Sequence, residues 1–492
     1  VGAFVPTFVA FALVVGVALA LGSLFCFRVA GVARLLTVTV GAALVAFMLN
    51  LPWSLDLITA PAPWQAMGGV GGAEGGTLDL GRVLRFESGP WGAAPLGWAF
   101  LLAGALPVII GRSWRLEWAV RAWFVVLAGW GVLWAGQAGH LPFGLPAPEV
   151  VLAPVAAGLS LTAALGLASF EIDLRAYRFG WRQILSVAAA TGVVLGAIPL
   201  GAGLLDGRWR MPSRDYRAPL DDLVATERGT PFRVLWVGDP EVLPAAGWRL
   251  DDQVSYTTTD RGSPTMLDRF SVAPPGQTER VADALRLTQD RRTNRLGHLL
   301  APMGIRYLVV PSQLAPNTTA GSGVRTPPAS LTNTLGQQLD LEEVPLSDGL
   351  VVYRNIAAIA SRSVLPDREG DRTRFTDAAD DDLSSASPAL TADVGAVDAR
   401  GDVSAVGDLL VAQSADPKWV LRIDGVPMAR RTDYGWANTF TATRKGSATL
   451  RYNTPLTHRL WSGGQAVAWA FVIEVRRRSR RAERIATDGL DS

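Results

Sequence analysis

The sequence predicts a polytopic α-helical membrane protein of about seven spans, with an extracytoplasmic α/β plus β-sandwich-like domain before the last span. Three observations lead there. Six long apolar runs follow one another in the first 205 residues, and a seventh stands near the end. Arginines are shared unevenly between the connections. At residue 206 the composition changes from Ala, Val, Leu, Gly and Trp to a mixture rich in Asp, Arg, Thr and Pro. Averages over the 492 residues, 49% hydrophobic with a formal net charge of +2, conceal this division.

A helix needs about 20 apolar residues to cross a bilayer core. The runs Phe4–Phe27, Leu35–Leu51, Leu96–Gly111, Trp118–Gly136, Val150–Phe170 and Ile184–Leu205 reach or approach that length and form a six-span bundle over residues 1–205. The seventh, Leu460–Val475 within 456–475, is short and holds Gly463, Gly464 and Gln465, so it is expected to pack against other helices. Tryptophans such as Trp53, Trp98, Trp114, Trp118, Trp134 and Trp461 stand at run ends, where an aromatic belt belongs. Trp123 and Trp130 lie deeper and read as packing residues.

Positive connections stay cytoplasmic. The first connection holds Arg28 and Arg34, the third Arg112, Arg115 and Arg121, and the fifth Arg175, Arg178 and Arg182. The fourth has none, and in the second Arg82 and Arg85 are offset by Asp56, Glu74, Asp79 and Glu87. Odd connections are therefore inside, and the sixth connection, 206–455, is outside. The last span then returns to the cytoplasm and should end in cations. Arg476, Arg477, Arg478, Arg480, Arg481 and Arg484 fill the tail 476–492 and read as its topology anchor. Nucleic-acid binding is excluded as the main reading, because no recognition motif accompanies these arginines.

The outer loop 52–95 contains the glycine run Met67–Gly76 and then Thr77–Trp91, which predicts a short amphipathic helix with Leu80, Val83 and Leu84 facing inward. An ordered cap on the bundle is an equal reading. Beyond the bundle, Pro231–Pro240, Gly304–Pro311 and Gly349–Asn355 predict strands, and Glu279–Leu300 predicts an amphipathic helix, giving an α/β region over 206–360. Residues 361–404, with the run DAADDDLSSASP, read as a solvated acidic linker or loop. Residues 405–455 are β-rich, with a turn at Asp424-Gly425 and a hairpin expected about Lys445-Gly446.

Cys26 is the only cysteine, and His140, His298 and His458 have no ligand-like spacing, so neither a disulfide nor a zinc site is expected. No cofactor is evident, and a divalent metal has no support in the spacing. Phosphate-cradling and nucleophile-elbow motifs are absent from the sequence. The spans hold almost no ionisable residues at mid-depth, against an ion-coupled transporter. Transfer of a sugar from a lipid phosphate needs a base at the outer interface. Asp56, Asp79 and Glu87 are the weak catalytic candidates, and Arg82 and Arg85 the weak candidates for the lipid phosphate. The bland alternative makes all five ordinary loop charges.

Three stretches carry a family resemblance: HLLAPMGIRYLVVP (His298–Pro311), GLVVYRN (Gly349–Asn355) and WVLRIDGVPMARRTDYGWANTFTA (Trp419–Ala442) before a last helix and basic tail. With them the chain resembles the C-terminal membrane and extracytoplasmic portion of bacterial GT-C-like and YfhO-like membrane glycosyltransferases. It is similar in particular to actinobacterial proteins with a family-2 glycosyltransferase domain ahead of such a region. FGWRQ (Phe179–Gln183) and DGRWRMP (Asp206–Pro212) agree with that likeness. Because the chain starts at Val1 inside apolar sequence, an N-terminal portion is expected to be missing. The resemblance implies a cell-envelope glycosyltransferase in the bacterial cytoplasmic membrane, with membrane lipid, a polyprenyl-phosphate sugar donor and a glycan acceptor as partners. The family's catalytic acidic residue lies in its first outer loop, so the resemblance carries that role to no residue here. Two alternatives stand beside it: a non-catalytic scaffold or glycan-binding region, and a lipid or polysaccharide exporter.

Overall fold

The computed structural model describes residues 5–59, 80–86, 95–141, 145–146, 148–172, 181–206, 214–227, 231–240, 242–244, 247–260, 262, 276–316, 324–347, 349–368, 370–393 and 398–488. The chain forms two compact units: a helical unit of Val1–Arg210 with Pro455–Ser492, and a sheet unit of Met211–Thr454.

The helical unit comprises α1 (Thr7–Phe25), α2 (Val32–Leu49), α3 (Trp53–Thr59), α4 (Leu80–Leu84), α5 (Ala99–Ile110), α6 (Ser113–Gln137), α7 (Pro148–Ile172), α8 (Trp181–Asp206) and a terminal helix (Leu456–Asp488). Among the described residues, α1, α2, α6 and the Pro148–Ser169 part of α7 are long and apolar enough to cross a membrane. They place the protein in a membrane; seven spans were expected. The third run shortens to the 12 residues of α5, about 18 Å of helix, because a 3-10 turn at Pro95–Trp98 precedes it and Gly111 turns extended after it. No helix end marks the expected boundary between the last span, 456–475, and the basic tail. The terminal helix runs unbroken through the arginines to Asp488. Arginine is a good helix former, no Gly or Pro stands between Gly464 and Gly489, and Glu474 pairs with Arg478 one turn on at 2.9 Å.

Small residues set the helix contacts. A Cβ on Gly129 would collide with Val155, and one on Gly16 with Thr39. Such contacts also fix directions. Gly22 meets Arg121 and Phe124 while Arg28 meets Glu117, so α1 and α6 are antiparallel. Gly158 faces Ala122 and Val126, and Gly136 faces Leu145, so α6 and α7 are antiparallel. Gly104 faces Leu159 and Gly166 faces Leu106, so α5 and α7 are parallel. Gly192 faces Leu102 and Gly196 faces Phe100, which makes α8 antiparallel to α5. The helices therefore alternate. The first and third connections share one end, where Arg28, Arg112, Arg115 and Arg121 gather (the arginine end). Asp56 and the start of the terminal helix share the other (the far end).

In the sheet unit, β1 (Arg233–Gly238), β2 (Trp248–Arg249), β3 (Ser255–Asp260), β4 (Ile305–Pro311), β5 (Leu341–Ser347) and β6 (Leu350–Asn355) form one sheet in the order β2-β3-β1-β4-β6-β5. Only the β1–β4 pair is parallel. Its crossover carries α10 (Gln277–Gln289) and α11 (Leu296–Leu300), where one helix over Glu279–Leu300 was expected. The break falls at Arg291, whose φ is +56°. With α9 (Arg217–Thr226) and α12 (Ala329–Gly336) these helices cover both sheet faces, and every residue of β1 is buried. Leu235 and Val237 join one core, Val234 and Trp236 the other.

The strands β7 (Arg362–Leu365), β8 (Ser387–Pro388), β9 (Ala392–Asp393), β10 (Asp398–Val403), β11 (Gly407–Ser414), β12 (Trp419–Ile423), β13 (Val426–Pro427), β14 (Ala429–Asp433), β15 (Ala437–Ala442) and β16 (Gly446–Tyr452) form two five-stranded sheets. Their orders are β13-β12-β16-β10-β9 and β14-β15-β11-β7-β8. This corrects three expectations. Residues 361–404 are no linker, since they supply β7 to β10 and bury Val364, Phe375, Leu383, Leu390 and Val403. The acidic run is not wholly solvated. Asp381 is buried, accepting from Arg372 Nε at 2.7 Å and from the Tyr434 hydroxyl at 2.6 Å. The chain about Lys445-Gly446 is no hairpin either, because β15 and β16 lie in different sheets. The Asp424-Gly425 turn does join paired strands, with both residues at positive φ as a type I′ turn requires. The α/β region and the sandwich share one core, in which Leu235 and Leu308 cluster with Leu410 and Trp436. The buried Arg233 bridges them, donating to the carbonyls of Met303 at 3.0 Å and Ala412.

Candidate functional site

The second connection starts with α3, whose position is set from below. Ser54 donates its hydroxyl to Phe47 O at 2.9 Å, and Leu57 is buried. This leaves Asp56 on the outward side at the far end. Gln465 of the terminal helix donates to Leu49 O at 2.8 Å, the last residue of α2. Two turns earlier on that helix, His458 Nε2 stands 3.3 Å from Asp56 Oδ1. The side chains keep 37% (His458) and 46% (Asp56) of their exposure, so solvent or a ligand can reach both. A half-exposed carboxylate beside an imidazole can accept a proton and share it.

At the same end, α4 inserts Val83 into the bundle core with Phe11, Leu133, Leu145 and Val151. Phe86 meets Phe100 edge-on at 6.3 Å between centroids. The Arg85 guanidinium lies 5.7 Å from the Trp98 ring centroid, and Arg82 is half-buried on the helix. The expected inward face is partly corrected: Val83 is buried and Leu84 half-buried, but Leu80 is 61% exposed. Leu80 shares their helical side but stands at the first position of this one-turn helix. Asp79 and Glu87, like Glu74, the glycine run and Arg175 and Arg178, lie outside the described residues. Of the tail, Arg476, Arg477, Arg478 and Arg480 are exposed, while the side chains of Arg481 and Arg484 are outside the description. The structure thus brings one of the three carboxylate candidates, Asp56, to a partner that spacing did not suggest. His458 is 402 positions away in sequence. Its place in the first turn of the last apolar helix, level with the outer loop, was the only signal.

A second imidazole–carboxylate pair holds the sheet unit together. The buried Asp340 accepts from both the backbone N–H and Nδ1 of His298 at 2.8 Å. Asn355, fully buried, donates to Gly297 O and Ile305 O at 2.9 Å each. His298 begins, and Asn355 ends, stretches that carried the family resemblance, and the bonds from Asn355 to Gly297 O and Ile305 O tie the helix-to-strand corner to β6. Among the described residues no group of three His, Cys, Asp or Glu side chains converges on a metal position.

No family model matches the sequence, and no curated protein matches it. Two solved structures of the arabinofuranosyltransferase AftD from Mycobacteria resemble it. One has 13% identity and a TM-score of 0.34 over 86% of this chain and 42% of AftD. The other, a mutant form, has 13% identity and a TM-score of 0.31 over 86% and 43%. This chain spans less than half of the AftD chain. At that overlap the likeness assigns no residue a role.

Proposed function

We propose that this protein is the membrane and outer-face portion of a cell-envelope glycosyltransferase that uses a polyprenyl-phosphate-linked sugar. The observation that carries the reading is the Asp56–His458 pair at the far end of the bundle. The terminal helix begins beside it, two residues after Thr454 ends the sheet unit, and the arginines gather at the opposite end. Cationic connections stay in the cytoplasm, so the pair and the sheet unit face outward, and Arg476, Arg477, Arg478, Arg480, Arg481 and Arg484 hold the terminal helix in that orientation. Asp56 takes the proton of the acceptor hydroxyl. The acceptor oxygen bonds to the anomeric carbon, and the bond from that carbon to the phosphate oxygen breaks, releasing polyprenyl phosphate. His458 orients the carboxylate and shares the proton. Arg82 and Arg85 serve the donor phosphate, with Asp79 and Glu87 as further acids on the same loop.

The test is glycan transfer by the full-length protein. Asp56→Asn should lower turnover by about 10²–10⁴-fold, the usual worth of a general base, with His458→Gln smaller and donor binding retained in both. Wild-type turnover in Asp56→Asn removes the assignment. The burial of Val83 then favours the second reading, in which α4 and α3 cap the bundle and the chain is a scaffold for glycan.

A further inference from the structure

The terminal helix touches the rest of its unit along one narrow stripe. Over residues 456–480 only His458, Gln465, Ala468 and Val472 are half-buried, and every other residue is exposed. Steps of seven, three and four residues put those four on one helical face. A Cβ on Gly463 or Gly464 would stand in open space, so neither glycine fixes this helix by close approach. In lipid, an apolar contact between helices is no better than contact with an acyl chain. The register of the helix therefore falls to its polar groups.

Two polar contacts lie on the stripe. His458 meets Asp56, and Gln465 Nε2 donates to Leu49 O at 2.8 Å. His458 precedes Gln465 by seven residues and Asp56 follows Leu49 by seven, so both contacts join the same two antiparallel stretches. The acceptor is one that a helix leaves open. The last four carbonyls of α2 have no helical partner, and Pro52 has no N–H to offer Met48 O. Ala46 O accepts from the Asn50 amide, Phe47 O from the Ser54 hydroxyl and Met48 O from the Leu51 N–H. Leu49 O accepts from Gln465, on another helix. Gln465 lies about 10 Å deeper along the helix than His458, where parting would leave both amide and carbonyl without water. A slip of one turn would carry His458 about 5 Å along the axis, out of its 3.3 Å contact with Asp56.

We infer that Gln465 is the positioning residue of the Asp56–His458 pair, fixing the register and rotation of the terminal helix so that the imidazole meets the carboxylate. Its effect on transfer rests on the glycosyltransferase reading; the register does not. The first test needs no activity. In the full chain in membranes, with Cys26→Ser, the changes Asp56→Cys and His458→Cys remove the pair itself and report its spacing through a short bifunctional thiol reagent. With Gln465 present the two cysteines should cross-link. Gln465→Met keeps length and helix propensity but loses the donor. It should lower the cross-linked yield about threefold or more, the worth of one hydrogen bond between membrane helices. Gln465→Asn keeps the amide but draws it back, and should fall between. Val472→Ala trims the same stripe and should leave the yield unchanged. The second test is glycan transfer. Gln465→Met should lower kcat with donor KM unchanged, and should add nothing to the loss in His458→Gln, because both act through one imidazole. Undiminished cross-linking in Gln465→Met, an equal fall in Val472→Ala, or losses that add in the double variant would overturn the assignment. A fall in cross-linking with transfer unaltered in both Gln465→Met and His458→Gln upholds the register and removes instead the role of His458 in the proposed reaction.

Discussion

In the sheet unit Trp236 and Trp436 are buried to within 2% and sit among Leu, Val and Tyr side chains. In the helical unit Trp114, Trp118 and Trp134 are 42–60% exposed, and close contacts fall instead on glycine and alanine. The same residue type takes opposite places because the two units face different solvents. Water drives large apolar groups inward. Lipid does not, so helices associate through small residues that let backbones approach, and indoles move to the interface. The charges divide similarly. Arg372, Asp381 and Arg233 are buried in the sheet unit, whereas in the helical unit Arg28 pairs with Glu117 at the bundle end.

This contrast can be broken first at Asp381. Changing it to Ala leaves the buried Arg372 with the Pro366 carbonyl at 2.8 Å and a more distant carboxylate, Asp408, at 3.7 Å, and should destabilise the sheet unit by about 3–5 kcal/mol. Denaturant unfolding followed by Trp436 fluorescence would measure it, with helical content unaltered. A loss below about 1 kcal/mol would mean that the charges there are solvated.

Alkaline pH should separate the units next. Burial pushes the phenol of Tyr216 up to about 12, and burial with the hydrogen bond to Glu227 pushes that of Tyr307 to about 12. A pKa raised on folding gives stability that is complete below the unfolded value near 10 and lost as pH rises through the folded value. The sheet unit should therefore lose about 2–3 kcal/mol per tyrosine between about pH 10 and pH 12. Six of the seven tyrosines, all but Tyr177, belong to it. Tyrosinate absorbance titrated against unfolding would show the coupling; ionisation near pH 10 with no loss of fold would refute it.

Gly129→Val tests the other side. Its side chain meets Val155, and overpacking there should cost about 1–3 kcal/mol in the helical unit alone. Thermal unfolding in detergent would register it, with the sheet unit's alkaline transition unmoved. The smallest effect belongs to Arg28→Gln. That pair is 62% exposed on the arginine side, and its loss should change stability by about 1 kcal/mol or less.

The sequence was most informative where one pattern repeats over a long stretch. Apolar runs located α1, α2, α6, α7 and α8, and continuous Val-Leu-Trp segments located β1, β4 and β6. It was least informative where a contact joins distant residues. Nothing near Asp381 announces that Arg372 and Tyr434 will surround it, so an acidic run read as solvated. Lys445-Gly446 has the composition of a hairpin, but the two sheets of the sandwich claim its flanking strands separately. Charge marked where the arginine run begins but not that the helix would continue through it to Asp488. At the candidate site, loop charge and depth singled out Asp56 only as one of three weak carboxylate candidates. His458 was not singled out, since a single histidine carries no spacing.

Sidedness tests the central claim most directly, because Asp56, His458 and the sheet unit act at the outer face only if the arginine end is cytoplasmic. In a background with Cys26→Ser, single cysteines at Ser385, exposed in the sheet unit, and at Ser479, exposed among the terminal arginines, would be treated with an impermeant thiol reagent on intact cells. The account predicts labelling at Ser385→Cys without permeabilisation, and at Ser479→Cys only after it. Labelling of Ser479→Cys in intact cells, with Ser385→Cys protected, would contradict it.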